Sequence, residues 1–219
     1  MNNVLLAGAL SIGVLPLLTG CTEKKPESPN IVIFLVDDMG ITDLGCYGNH
    51  FNETPNIDKL ADNGIRYTDA YASCPVCSPS RASLMTGKYP VRVDVTDWIP
   101  GRQFNKGLEA DKKLKVPEFS HHLALSETSL AELVKKAGYS AGFAGKWHLG
   151  GKGYYPTDQG FDVDIAGDKR GMPPSYYAPY LKHPQNDTTP FTEFSERSHD
   201  GQYLTDQLTS EAMNFVRGH

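Results

Sequence analysis

The sequence predicts an α/β fold with a mainly parallel central sheet flanked by helices, and three observations carry that prediction. Residues 31–36 (IVIFLV) are an unbroken run of β-branched and apolar side chains, the pattern of a strand buried on both faces of a parallel sheet. Strand-like and helix-like segments alternate along the chain. Polar residues collect where strands end, the edge at which open α/β sheets place their sites.

The elements follow in order. Thr54-Pro55 supplies a cap and a first-turn proline for a short helix over residues 57–63, which Gly64 stops. Residues 65–72 are a second candidate strand. Ser78-Pro79 opens a helix that runs to about Thr86, with Gly87 just past its end. Residues 101–122 read as irregular and polar. Ser126 or Thr128 caps a helix over residues 130–137, in which Leu130, Leu133 and Val134 share a face, and Gly138 ends it. Residues 139–144 make a short strand with Lys146-Trp147-His148 at its carboxyl end. Pro, Gly and Tyr dominate residues 150–184, which argues for surface loops. A last amphipathic helix starts at Thr205 or Asp206 and runs to Val216.

The chain has 219 residues, 39% hydrophobic and 21% charged, which is enough for one sizeable core. Its net charge of -5 argues against a nucleic-acid partner, and its densest basic stretch, Lys112-Lys113-Leu114-Lys115, reads as a solvated loop. Residues 1–20 carry no charge, and the apolar run from Val4 to Leu18 is broken by Gly8, Ser11, Gly13 and Pro16. It falls short of the roughly 20 apolar residues of a membrane span and fits the core of an export signal. The run ends Leu18-Thr19-Gly20-Cys21, which resembles the bacterial lipobox, although no Lys or Arg precedes the run. A plain cleaved signal or a misassigned start codon stays open beside that reading. Residues 21–29 are polar and carry two prolines, the composition of a tether. The expected organisation is a lipoprotein signal at 1–20, a tether at 21–29 and a catalytic portion from 30 to 219. The protein is then exported and held at a membrane, facing periplasm or cell surface, through lipid on Cys21.

Three clusters carry the chemistry. Asp37-Asp38 ends the first strand with no Lys or Arg beside it, and paired carboxylates suit a hard cation or, more blandly, a solvated turn. Cys77 lies at the start of a helix, where free N–H groups favour an anion, and Arg81 follows four residues later on the same side. Cys74-Pro-Val-Cys77 also has the spacing of a redox or zinc half-site, but His121-His122 is adjacent rather than spaced as a second half-site would be. Lys146-x-His148 sits at a strand end.

The segment Cys77-Ser78-Pro79-Ser80-Arg81-Ala82-Ser83-Leu84-Met85-Thr86-Gly87 resembles the signature of type I, formylglycine-dependent sulfatases of the alkaline-phosphatase-like superfamily, which demotes a thioredoxin-like reading of Cys74, since Pro79 and Arg81 have no job in such a site. Asn30 to Gly40, Thr54-Pro55-Asn56-Ile57-Asp58, Gly64-Ile65-Arg66-Tyr67 and Gly145-Lys146-Trp147-His148-Leu149-Gly150 resemble further blocks of that family, and the resemblance runs in order from Asn30 to Asp162. It implies that a maturation enzyme converts Cys77 to formylglycine, and that Asp37, Asp38 and residue 77 bind calcium. Arg81 would hold the formylglycine, Lys146 the sulfate oxygens, and His148 would hydrogen-bond a formylglycine hydroxyl. One hydroxyl of the hydrated aldehyde would attack the ester sulfur, and loss of the proton from the other would then expel sulfate.

The family's later Asp-Asn or Asp-His pair and its later histidine and lysine find no matching block. Asn186-Asp187 has the reverse order, and His183, His199 and His219 match by residue type alone. The 219 residues by themselves are therefore expected to be inactive and unstable. The implied substrate is a sulfated polysaccharide or glycosaminoglycan, and Asp97-Trp98-Ile99-Pro100-Gly101-Arg102 resembles loops of bacterial polysaccharide sulfatases. Two other readings are a phosphatase or phosphodiesterase of the same superfamily, and a surface lipoprotein that binds sulfated glycans without turning them over.

Overall fold

The computed structural model describes residues 28–101, 117–180 and 197–219. The apolar leader, Cys21, most of the tether, Arg102, His183 and Asn186-Asp187 lie outside the described residues. The chain divides into two compact units, Met1–Met39 and Gly40–His219.

In the first unit, residues 31–36 do not form the buried strand expected of them. They make no ladder, and their exposure runs from 48% at Leu35 to 82% at Phe34. β-Branched composition supplies a preference for extended backbone, but a strand and its burial come only from a paired neighbour and a covering layer. Asp37 and Asp38 follow in a turn, both exposed, with Asp38 at φ +56.

The second unit begins with two 3-10 turns, Ile41–Asp43 and Gly45–Tyr47, pinned to the helix α1 (Pro55–Asp62). Asp58 accepts from the Cys46 N–H at 2.7 Å and from the Thr54 hydroxyl at 3.0 Å, while Thr54 accepts from the Gly45 N–H at 2.8 Å. The Thr54 hydroxyl is thus spent on the turn and does not cap the helix. Residues 65–72 form no strand, and Ile65 and Tyr71 stand more than four-fifths exposed at 81% and 87%. α2 spans Cys77–Thr86 and ends where the sequence predicts, with Gly87 at φ +66 donating its N–H to the Ser83 carbonyl at 2.8 Å.

α3 (Leu130–Lys136) is capped by Ser129, not by Ser126 or Thr128. Ser129 Oγ accepts from the Glu132 N–H at 3.1 Å, and Glu132 Oε2 accepts from the Ser129 N–H at 2.8 Å. This reciprocal pair satisfies two end amides at once, which a serine one turn earlier has no glutamate to match. β1 (Gly142–Ala144) pairs in parallel with β2 (Val163–Ile165), Gly142 opposite Val163. β2 lies in the stretch read from sequence as loop. α4 (Leu204–Gly218) packs on both strands, beginning one residue earlier and ending two later than the sequence suggests.

The fold is therefore α/β, with a parallel pair and helices among the described residues. Ala82 and Met85 of α2 join Val93, Val95, Ile99, Phe119, Leu123, Trp147 and Leu149 in one buried cluster. Ile165, Ala178, Tyr180 and Leu204 form a second under α4.

Asp162 ties α3 to β1. It accepts from Lys135 Nζ at 2.6 Å and from the Ala141 N–H at 2.9 Å. The Lys135 ammonium first, and then the Ala141 amide, hold its carboxyl below the ordinary value of 3.8. A depressed carboxylate contributes stability above its ordinary value and loses it as pH falls through the depressed one. Urea midpoints followed from neutral pH to below 3.8 should therefore fall more steeply for the wild type than for Asp162→Asn. Parallel acid limbs for the two proteins contradict this.

Candidate active site

α2 is set in place from its first turn. Val76 precedes it in extended backbone (φ −128, ψ 163) and has no side chain able to cap. The helix starts at Cys77 itself, two residues earlier than the Pro79 start that a Ser78 cap implies. Pro79 then falls at the third position, where its missing N–H costs no helical bond. The Ser80 hydroxyl bonds back to the Val76 carbonyl at 2.8 Å and to the Cys74 carbonyl at 2.6 Å. Ser78, fully buried, accepts the Ile99 N–H on its hydroxyl at 3.1 Å.

Arg81 lies one turn along from Cys77, so the two side chains share a face of α2. It is 7% exposed, the one Lys or Arg in the buried set among the described residues. Its Nη1 donates to the backbone carbonyl of Lys146. A guanidinium cannot be neutralised by losing a proton, so this bond fixes a permanent positive charge beside residue 77.

The Lys146 segment is anchored by its neighbours. Gly145 donates its N–H to the Ile165 carbonyl at 2.8 Å, extending the β1–β2 ladder by one residue. Trp147, 1% exposed, donates Nε1–H to the Tyr154 carbonyl at 2.8 Å and meets the Phe143 ring edge-on at 5.2 Å. With Trp147 buried, Lys146 and His148 lie on either side of a fixed residue. His148 adopts φ +56, a conformation that costs energy outside glycine and is held here by its N–H to the Asp168 carbonyl at 2.9 Å. Its Nε2 meets the Ile99 carbonyl. A carbonyl only accepts, so Nε2 carries a proton in that contact.

Ile99 thereby links two of the sequence blocks. Its N–H goes to Ser78 on α2 and its carbonyl receives His148 after β1. The sequence pointed to residues 97–102 as a substrate loop; the structure gives Ile99 a positioning job as well. Asp168 braces the far side, accepting from the Arg170 backbone N–H at 2.7 Å and pairing with its guanidinium. Gly171 then lies against the imidazole, and a Cβ there would fall 2.7 Å from His148 Cε1.

Of the predicted site residues, Cys77, Arg81, Lys146 and His148 belong to this one connected arrangement. Asp37 and Asp38 belong to the unit Met1–Met39. Among the described residues no three His, Cys, Asp or Glu side chains group as metal ligands. The exposed pair Asp37-Asp38 offers hard oxygen donors that fit a calcium ion and would supply part of its shell of six to eight oxygens. Asp168 and Gly171 were not singled out for a role from sequence, because one reaches His148 through its backbone carbonyl and the other through having no side chain.

Two substitutions test the linkage. Ser78→Ala leaves the buried Ile99 N–H without its acceptor and should cost about 1–3 kcal/mol in urea unfolding. A midpoint equal to wild type contradicts the linkage. Gly171→Ala drives a methyl into the imidazole and should cost about 1–3 kcal/mol while shifting the His148 ring resonances. Unmoved resonances contradict that packing.

Comparison with known proteins agrees with the motif. Residues 29–219 match the family model described as Sulfatase. The chain is 37% identical over 180 residues to N-acetylgalactosamine-6-sulfatase of Rattus norvegicus, covering 82% of this chain and 32% of that protein. It is 41% identical over 151 residues to arylsulfatase A of Homo sapiens, covering 68% of this chain and 26% of that protein. The solved structure of Ps i-CgsB in complex with k-i-k-neocarrahexaose matches with a TM-score of 0.58 at 27% identity, over 83% of this chain and 40% of that one. The chain thus spans about a third or less of the length of these curated relatives. With the family match running over nearly all of it beyond residue 28, the chain belongs to the sulfatase family.

Proposed function

We propose that the protein hydrolyses sulfate esters, using a formylglycine made from Cys77 and a calcium ion held in part by Asp37 and Asp38. The observation that carries the reading is the bond from Arg81 to the Lys146 carbonyl, which puts two separate sequence blocks of basic residues at one place. A sulfuryl group in transfer spreads negative charge over its oxygens, and fixed cations aimed at that charge usually accelerate such a reaction more than any other single effect.

Each residue has a task in this reading. Residue 77, at the head of α2, carries the attacking hydroxyl of the hydrated aldehyde, where the amides of the helix start favour an anion. Arg81 balances the charge that grows on that hydroxyl oxygen. Lys146 holds the sulfate oxygens, and His148 receives a hydroxyl proton of the formylglycine. A calcium ion, held in part by Asp37 and Asp38, would supply Lewis-acid stabilisation of the sulfuryl oxygens. A gem-diol carries a second hydroxyl, so the sulfated residue discharges itself by releasing that proton and re-forming the aldehyde.

The substrate class proposed is a sulfated carbohydrate. The likenesses to N-acetylgalactosamine-6-sulfatase and to Ps i-CgsB, solved with k-i-k-neocarrahexaose, support it. The apolar leader ending at Cys21 supports an exported protein anchored at the membrane by lipid. Among the described residues no helix is long and apolar enough to cross a membrane.

The decisive chemical mark is at Cys77. Trypsin releases residues 67–81 as one peptide, and protein from its native host should carry an aldehyde there, about 18 Da below the thiol. Thiol alone, alongside phosphodiester hydrolysis, overturns the proposal in favour of a phosphodiesterase.

A further inference from the structure

Cys74 has no part in that reaction, yet it lies one bend before the residue that does. The chain bends at Pro75 and Val76, and the Ser80 hydroxyl bonds both the Cys74 and the Val76 carbonyls. The first turn of α2 thus holds the backbone of Cys74 beside the start of the helix that begins with Cys77. Both thiols are free and half-buried. Cys46, the third described thiol, lies in the separate turn Gly45–Tyr47. A metal does not explain the pair, because no three potential ligands group there among the described residues.

We infer that Cys74 and Cys77 close a reversible disulfide, which withholds Cys77 Sγ from conversion to formylglycine. That consequence rests on the function proposed above; the bond itself does not. Two residues, Pro75 and Val76, separate the two cysteines across a bend, a spacing common to dithiol pairs that cycle between oxidation states. A partly exposed bond closing so small a ring is of the labile, reducible kind.

The oxidant required is a low-molecular-weight disulfide. One cysteine attacks its S–S bond and releases one oxidant thiol; the other cysteine then attacks the mixed disulfide and releases the second. Two protein S–H bonds and one oxidant S–S bond break, while one protein S–S bond and two oxidant S–H bonds form. Two electrons pass from the cysteine pair to the oxidant.

The test titrates unconverted protein with oxidised glutathione, quenches it with acid, alkylates it and maps residues 67–81 by mass. The expected peptide has lost the mass of two hydrogen atoms, takes up no alkyl group, and regains two alkylatable thiols with dithiothreitol. Separate glutathione adducts on Cys74 and Cys77, or two free thiols throughout the titration, overturn the inference. A second arm matures wild type and Cys74→Ser with a formylglycine-generating enzyme under rising oxidant. The aldehyde yield should fall for the wild type and hold for Cys74→Ser; an equal fall in both overturns the withholding. Aldehyde absent from both at every oxidant level sinks the proposed function instead, and the first arm alone then decides the disulfide.

Discussion

The bond from the Arg81 guanidinium to the Lys146 carbonyl is the constraint on which the rest of the site depends. It joins a helix to the segment leaving a strand, across 65 residues of sequence. Its acceptor is a backbone atom, so it fixes where the Lys146 side chain starts without consuming that side chain. Its donor is a planar guanidinium cation. Ile99 runs a second, parallel tie, from Ser78 to His148, made wholly through its own backbone N–H and carbonyl. A buried peptide group left unpaired is costly, so each tie also enforces the other.

Much of this was legible in the sequence, for identifiable reasons. α2 is bounded by a glycine that adopts the left-handed conformation only glycine takes cheaply, and Gly87 says so in the one-letter code. The Lys146-Trp147-His148 block follows a short apolar strand, and the structure finds β1 there. The α3 cap was legible too, as Ser129 with Glu132 three residues on, and choosing Ser126 or Thr128 overlooked that pair.

What was not legible depends on partners. Residues 31–36 have the composition of a buried strand, but pairing is a property of two segments and cannot be read from one. Residues 65–72 fail as a strand for the same reason. β2 hides because three residues, Val163–Ile165, between turns give no periodicity to detect. Ile99 and Gly171 matter through a peptide group and a missing Cβ, which no side-chain chemistry announces.

In the proposed function Lys146 acts as two objects, a carbonyl that receives Arg81 and an ammonium that holds sulfate. Replacing Lys146 with alanine in the protein from its native host keeps the carbonyl and removes the ammonium. The measurement is sulfate release from a simple aryl sulfate, paired with the thermal unfolding midpoint. The expected result is a loss in turnover of about 10²–10³ in protein that still unfolds cooperatively, the usual scale for removing one transition-state donor. Turnover equal to wild type, at an unchanged midpoint, would contradict the placing of the active site at the head of α2.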